Sequence, residues 1–378
     1  MPWREATQVS MRQEFVVLAQ PEGRNVRELC RRFGIAPKTG YKWLARYAAA
    51  GVDGLPDRSR RPRHSPRRTA AALEAALLAV RREHPAWGAR KIIAVLARRG
   101  VPALPAPSTV TGILRRHGCL DEGVVPAPGP HTRFERPVPN DLWQMDYKGH
   151  FALADGRCHP LTILDDHSRY CLALEACARE DTPVVRTRLT QVFRRYGLPW
   201  QLLTDNGPPW GGGPGCPYTP LSAWLIRVGV ALIHGRPYHP QTQGKDERFH
   251  KTLQAEVLRE PLRTLAQAQE RFQRWRGVYN HERPHQALDY AVPAERYRPS
   301  ARPFPETLPP IEYAPGDYVR KVQQEGELSF QGRCLSVSKA FAGYPVALRP
   351  THEAGVFSVY FCHQCIARID LRDLERGG

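Results

Sequence analysis

Apolar positions change their period along this chain. Between residues 1 and 50 the period is helical: Val26, Leu29, Cys30 and Phe33 fall at i, i+3, i+4 and i+7, one stripe on one face. Gly34 ends that stripe, and Pro37 can open a second helix that continues through Tyr41, Trp43, Leu44, Ala45 and Tyr47. Helix, glycine-containing turn and helix outline a helix-turn-helix, whose second helix would offer Lys38, Thr39 and Lys42 to bases and phosphates. A plain helical hairpin has the same outline. Residues 69–118 repeat the logic: Ile92, Ile93 and Leu96 form a stripe after Trp87-Gly88. Ser108 then stands as a cap for a helix bearing Val110, Ile113 and Leu114.

From residue 142 to 297 strand-like and helix-like runs alternate. Residues 143–151, 161–164 and 170–176 read as strands, the first two joined by an Asp155-Gly156 hairpin signal. Thr182-Pro183 reads as an N-cap and first-turn pair for a helix that closes near Gly197. A strand over 202–204, a helix over 221–228, a strand over 230–233 and helices over 241–259 and 264–281 follow. This order predicts a mixed α/β sheet. Residues 313–378 hold short alternating runs at 318–322, 328–330, 334–337, 346–348, 356–361 and 366–371, which predict a small all-β barrel or sandwich, the barrel being expected.

Composition separates these segments. Residues 51–68 are rich in Gly, Pro and Arg, with Arg58, Arg60, Arg61 and Arg63 fit for a minor groove or phosphate track. Pro-rich linkers are expected at 119–141 and 298–312. The organisation is then a helix-turn-helix domain (1–50), a basic linker (51–68), a second helix-turn-helix-like domain (69–118), a core (142–297) and a β domain (313–378). Lys and Arg number 55 against 37 Asp and Glu, a net charge of +18, so a polyanionic partner is expected. The 9 Cys are odd in number and scattered, which excludes a disulfide scaffold and fits a reducing cytoplasm. Cys362 and Cys365 lack a second ligand pair and read as strand residues, not a zinc site. No long apolar run predicts a membrane span, and the first residues lack the apolar region of a signal peptide.

Three acids in the core segment stand where chemistry can use them. Asp146 interrupts the apolar strand Trp143-Gln144-Met145-Asp146-Tyr147, and burying it is costly unless it is paired or binds metal. Asp205 ends a strand, where α/β sheets place ligands. Glu247 lies on a helix whose Phe249, Leu253 and Val257 should face the core, so it faces away from them, with Lys251 on its own face. Each alone reads as a cap or an ion pair. Three together suit hard divalent ions such as Mg²⁺, two of which can activate an attacking oxygen and stabilise a leaving one at phosphorus. Asp165-Asp166-His167 reads as a strand end and turn.

The segments WQMDYKG, LDDHSRY, LLTDNG, HPQTQGKDERFHKTL and YNHERPHQAL, with HPAWGARKI upstream, resemble bacterial insertion-sequence transposases that have a DDE, retroviral integrase-like catalytic core. The resemblance covers roughly residues 20–300. It implies a ribonuclease-H-like fold, with Asp146, Asp205 and Glu247 matching the three metal-binding acids. It implies two Mg²⁺ ions, which Mn²⁺ can replace, and cleavage at transposon ends followed by joining of the 3′-hydroxyl to target DNA. Lys245, Arg248 and Lys251 are expected at phosphates. The expected partners are double-stranded DNA and further copies of the chain, a dimer or larger, in the bacterial cytoplasm. The sequence departs from the group at a long Gly/Pro-rich loop, 208–217, and at Asp246, a position usually apolar. The rival readings are a DNA-binding regulator without activity and a nuclease that only cleaves.

Overall fold

The computed structural model describes residues 8–58, 68–120, 135–205, 207–211, 218–234 and 244–372. The chain forms two compact units, Met1–Arg68 and Thr69–Gly378. The first is a three-helix cluster: α1 (Gln8–Ala19), α2 (Val26–Arg32) and α3 (Pro37–Ala50). Asn25 caps α2 by accepting from the amides of Arg27 and Glu28. Phe15, Val16, Leu29, Cys30 and Trp43 form its core, and Leu55, fully buried, joins them. The segment expected to be linker from residue 51 thus begins as part of this unit. Gly40 lets α3 approach closely: a Cβ there would stand 2.4 Å from Cys30 Sγ and 2.8 Å from Phe15. Tyr41, expected on the apolar face, is instead exposed.

The second unit starts with α4 (Ala71–Glu83), α5 (Ala89–Arg98) and α6 (Pro107–Arg116). Leu77, Trp87, Ile92, Leu96, Val110, Ile113 and Leu114 fill their shared core, and Val278 from a later helix packs against it. So these helices are docked on the core domain, and Arg98 adds an ion pair to Glu295 at 3.2 Å. Ser108 is not the cap of α6. Pro107 takes the first helical position and Ala106 the cap, because a proline fits where no amide partner is needed.

The central sheet runs β4 (Cys171–Cys177), β3 (Gly156–Asp165), β1 (Leu142–Tyr147), β5 (Gln201–Thr204), β6 (Ala231–His234), with β2 (Phe151–Leu153) as a hairpin arm on β3. The first three strands are antiparallel neighbours; β5 and β6 run parallel to β1. One face is covered by α7 (Thr182–Tyr196) and α8 (Pro220–Arg227), through Val185, Leu189, Phe193, Leu221 and Trp224. The other is covered by α9 (Gly244–Glu256) and α10 (Leu265–His281), through Phe249, Leu253, Phe272 and Trp275. Alternation sorts β1 between them: Trp143, Met145 and Tyr147 enter the first layer. This is the mixed-sheet ribonuclease-H-like arrangement. The cap of α7 is Asp181, not Thr182, accepting from Val184 N.

After α11 (Pro293–Arg296) the proline-rich stretch is no loose linker but a strap along the core. Leu198 N donates to Arg302 O, and Ser300 N to Tyr196 O. Arg302 donates to Pro199 O and Gly229 O and lies over the Trp200 ring. Phe304 and Leu308 pack against the sheet's first layer. Proline blocks helix and strand here without preventing burial of the residues between.

The last segment is all β, as its alternation predicts. A four-stranded antiparallel sheet runs β12 (Gln364–Asp370), β11 (Val356–Phe361), β10 (Pro345–Pro350), β7 (Tyr318–Lys321). A separate hairpin joins β8 (Glu327–Phe330) and β9 (Arg333–Ser336). Its turn residues, Gln331 and Gly332, both have positive φ, as the strand twist requires. Among the described residues these strands do not close into the expected barrel, because β8 and β9 pair only with each other. Cys362 and His363 make the turn between β11 and β12 rather than strand. The domain shares its core with Ala223 and Ile226 of α8. Gln364 accepts from Leu232 N at 3.1 Å and donates back to Leu232 O at 3.4 Å, so its amide occupies the open edge of β6.

Candidate active site

The sheet register brings two acids together. Gln144 pairs with Leu203 across the parallel β1–β5 ladder. Two residues on, that register sets Asp146 opposite Asp205, at the C-terminal ends of adjacent parallel strands. Burial, and then the Asp205 carboxylate, push the Asp146 carboxyl up to about 7. Burial also raises Asp205, against the Gly207 amide that donates to its Oδ1 at 3.2 Å. Two desolvated acids with oxygen donors only fit a hard divalent cation.

Side chains around them tie the strands. Thr162, opposite Asp146 on β3, donates to the Asp146 carbonyl at 2.9 Å. His250 of α9 lies 3.0 Å from Thr162 Oγ1 and 4.0 Å from Asp146 Oδ2. Burial, then Lys148, lower its imidazole to about 4. His234 of β6 holds the Asp205 carbonyl through Nδ1 at 3.0 Å, while its Nε2 is buried and unpartnered. Glu180 adds negative charge felt by both acids and contacts His159 at 2.7 Å. The sequence reading missed Glu180, since nothing in Arg179-Glu180-Asp181 points to it. His250 carried a signal: it lies at i+4 from Asp246.

In the first turn of α9 it is Asp246 that lies within reach of the Asp146 charge, while Glu247 faces out. Glu247 is exposed and ion-paired with Lys251 at 3.8 Å. Asp246 is buried, with Oδ1 unpartnered. Burial first, then Asp146 and Asp166, raise its carboxyl well above the usual range. Lys245, expected at phosphate, points inward to an ion pair with Asp166. Asp166 also accepts from Arg136 N and Gln144 Nε2, and Asp165 accepts from Asn140 N and Ser168. That adjacent acid pair ties down the strand end and its turn.

Of the other expected DNA contacts, Lys38, Lys42 and Arg58 are exposed and Thr39 is half-buried. Lys42 lies over the Trp43 ring, with Arg12 and Arg46 on the same indole. Arg248 and Lys251 are exposed on α9. Arg60, Arg61 and Arg63 lie outside the described residues, as do 212–217 of the long loop and 239–243 before α9. Among the described residues one group, Glu83, His84 and Glu282, sets three potential metal donors within 4.8 Å of one another. It lies apart from the expected triad, between the ends of α4 and α10.

Residues 136–240 and 228–293 match integrase core domains. Residues 11–63 match a helix-turn-helix domain and 39–114 a homeodomain-like domain. Residues 317–376 match the C-terminal domain of IS481 family transposases. The "Insertion element IS407 uncharacterized 31.7 kDa protein" of Burkholderia multivorans is 30% identical over 160 residues, 42% of this chain and 55% of that protein. The "Insertion element IS476 uncharacterized 39.2 kDa protein" of Xanthomonas euvesicatoria is 30% identical over 159 residues, 42% of this chain and 44% of that one. The chain thus spans about half the length of these curated relatives. A chain of the simian T-cell lymphotropic virus intasome, in complex with PP2A regulatory subunit B56 gamma, superposes at 16% identity with a TM-score of 0.36. It covers 78% of this chain and 96% of that one, and so low a score adds nothing to the topology above. The core segment thus matches integrase core domains and the terminal segment the C-terminal domain of IS481 family transposases. In sequence the chain is similar to insertion-sequence proteins and, in its core, to retroviral-type integrases.

Proposed function

We propose that this protein is a DNA transposase. It binds the terminal inverted repeats of its element, cuts the ends and joins each 3′-hydroxyl to target DNA. Asp146, Asp205 and Glu247 are assigned as the catalytic and metal-binding acids. The observation that carries the reading is the Asp146–Asp205 pair, opposed on adjacent parallel strands and desolvated. Asp146 and Asp205 would hold two Mg²⁺ ions, or Mn²⁺, with the third acid from the first turn of α9: the resemblance assigns Glu247, which here faces out towards Lys251, while Asp246 is the buried acid beside Asp146. The ions supply a Lewis acid that lowers the barrier to phosphoryl transfer. Thr162 and Gly207 fix the positions of the two aspartates, and His250, kept neutral, adds no competing cation. Lys38, Thr39, Lys42 and the arginines from Arg58 to Arg63 would engage the repeats, with Arg248 and Lys251 at phosphates nearer the acids. Two ends must be cut together, so the active species is a dimer or larger on DNA, working in the bacterial cytoplasm.

The test is a strand-transfer assay with labelled DNA carrying the gene's own flanking repeats, a plasmid target and Mg²⁺. Asp146→Asn and Asp205→Ala should abolish joining and leave end binding intact. Joining that survives either change would sink the assignment, and tight end binding without any chemistry in the unaltered protein would favour a regulator.

A further inference from the structure

The seam between the α4–α6 module and the core holds cations that the proposed chemistry does not use. Lys91, on α5, is half-buried, and its ammonium makes no hydrogen bond or ion pair with any described residue. Burial, then Arg283, with a smaller share from Arg248, lower its ammonium to about 8. Glu256 is the nearby counter-charge, but it is committed: Trp275 Nε1 and Arg283 Nε each donate to it at 2.9 Å. His285 lies in the same neighbourhood, buried and neutral, with Nε2 unpartnered. Three cations around one committed carboxylate repel unless an anion joins them.

Beside them opens a cleft of about 180 Å³, lined by Ala86, Arg248, Lys251, Thr252, Glu256 and Arg283. The cleft is open to solvent and roomy enough for a phosphate group with its waters. The wall is fixed: Arg283 Nη2 lies 3.5 Å from Thr252 Oγ1, and that hydroxyl donates to Arg248 O at 2.9 Å. Arginine forks on one side and a desolvated ammonium behind them suit phosphate oxygens.

We propose that this cleft binds a backbone phosphate of duplex DNA, gripped by Arg248, Lys251 and Arg283 with Lys91 supplying charge behind them. The inference rests on the DNA reading above. It adds a contact that ties the α4–α6 module and the helix bearing Glu247 to one point on the duplex.

The test uses the full chain without metal and a labelled duplex carrying the flanking repeats, titrated from 50 to 200 mM salt. Each neutralised phosphate adds about 0.9 to the slope of log affinity against log salt. Lys91→Gln and Lys91→Met should bind roughly three- to tenfold more weakly, with a slope shallower by about 0.9. Lys91→Arg should keep the slope. Melting of Lys91→Met should match or exceed the unaltered protein, since the change relieves like-charge repulsion. Unchanged affinity and slope in a folded variant would overturn the inference alone. A melting rise with inorganic phosphate that needs Lys91, without any change in the DNA slope, would make this a free-anion site and overturn it too. No duplex binding by the unaltered chain would overturn the functional reading as well.

Discussion

A carboxylate oxygen buried without a partner, as at Asp246, destabilises the fold in its charged form. Folded, Asp246 holds its proton to higher pH than the unfolded chain does. The stability this lends is complete below the ordinary value of 3.8 and is lost as pH rises through the folded value. Asp246→Val should therefore raise the unfolding free energy at pH 8 by about 1–3 kcal/mol, read by denaturant unfolding, with the gain shrinking towards pH 4. Equal or lower stability at pH 8 would contradict this. Asp146 obeys the same sign, over the window from 3.8 to about 7, through burial first, then Asp205, with a smaller share from Glu180; His250 lies 4.0 Å away. In chelator, Asp146→Asn should be more stable than the parent at pH 8, on the order of 3 kcal/mol, and indistinguishable at pH 3. The burial of Asp246 was legible, since Asp246, Phe249 and Leu253 run i, i+3, i+7 on one face. The pairing of Asp146 with Asp205 was expected only through the family resemblance: it depends on a strand register between segments 59 residues apart in the chain, which alternation alone cannot supply.

At the scale of elements, close packing makes sharp predictions. Gly40→Val would drive a branched side chain into Cys30 and Phe15, so the first unit should lose about 1–3 kcal/mol. Calorimetry should show that loss in one transition and leave the second unit's transition in place. Gln364→Leu leaves the amide and carbonyl of Leu232 unpartnered at the sheet edge, and should cost about 1–2 kcal/mol in denaturant unfolding. Element types were read well because alternation and helical stripes are local. Ends were read less well: at α6 and α7 a proline within the first turn shifted the cap one or two residues upstream. Closure of the terminal strands was overestimated, because alternation shows which face is buried and not which strands pair.

At the scale of the molecule, composition was misread where proline was dense. Residues 298–312 looked like a spacer, yet Arg302, Phe304 and Leu308 seat them on the core. The terminal β domain completes a core that includes Ala223 and Ile226 of α8. Deleting residues 312–378 should therefore bare that face, lower soluble yield and raise dye binding to exposed apolar surface. A soluble, monodisperse truncation with unchanged melting would refute the shared core.

The strap sets a mechanical property. Because it is held at Leu198, Pro199 and Gly229, the step from the central sheet to the terminal domain is a fixed offset and not a tether. Whatever the terminal domain grips is held at a set span from the two aspartates, as in a caliper. Loosening the strap at Arg302 would turn that gauge into a leash, and, if the proposed strand transfer holds, the spacing of joining sites on a target would broaden.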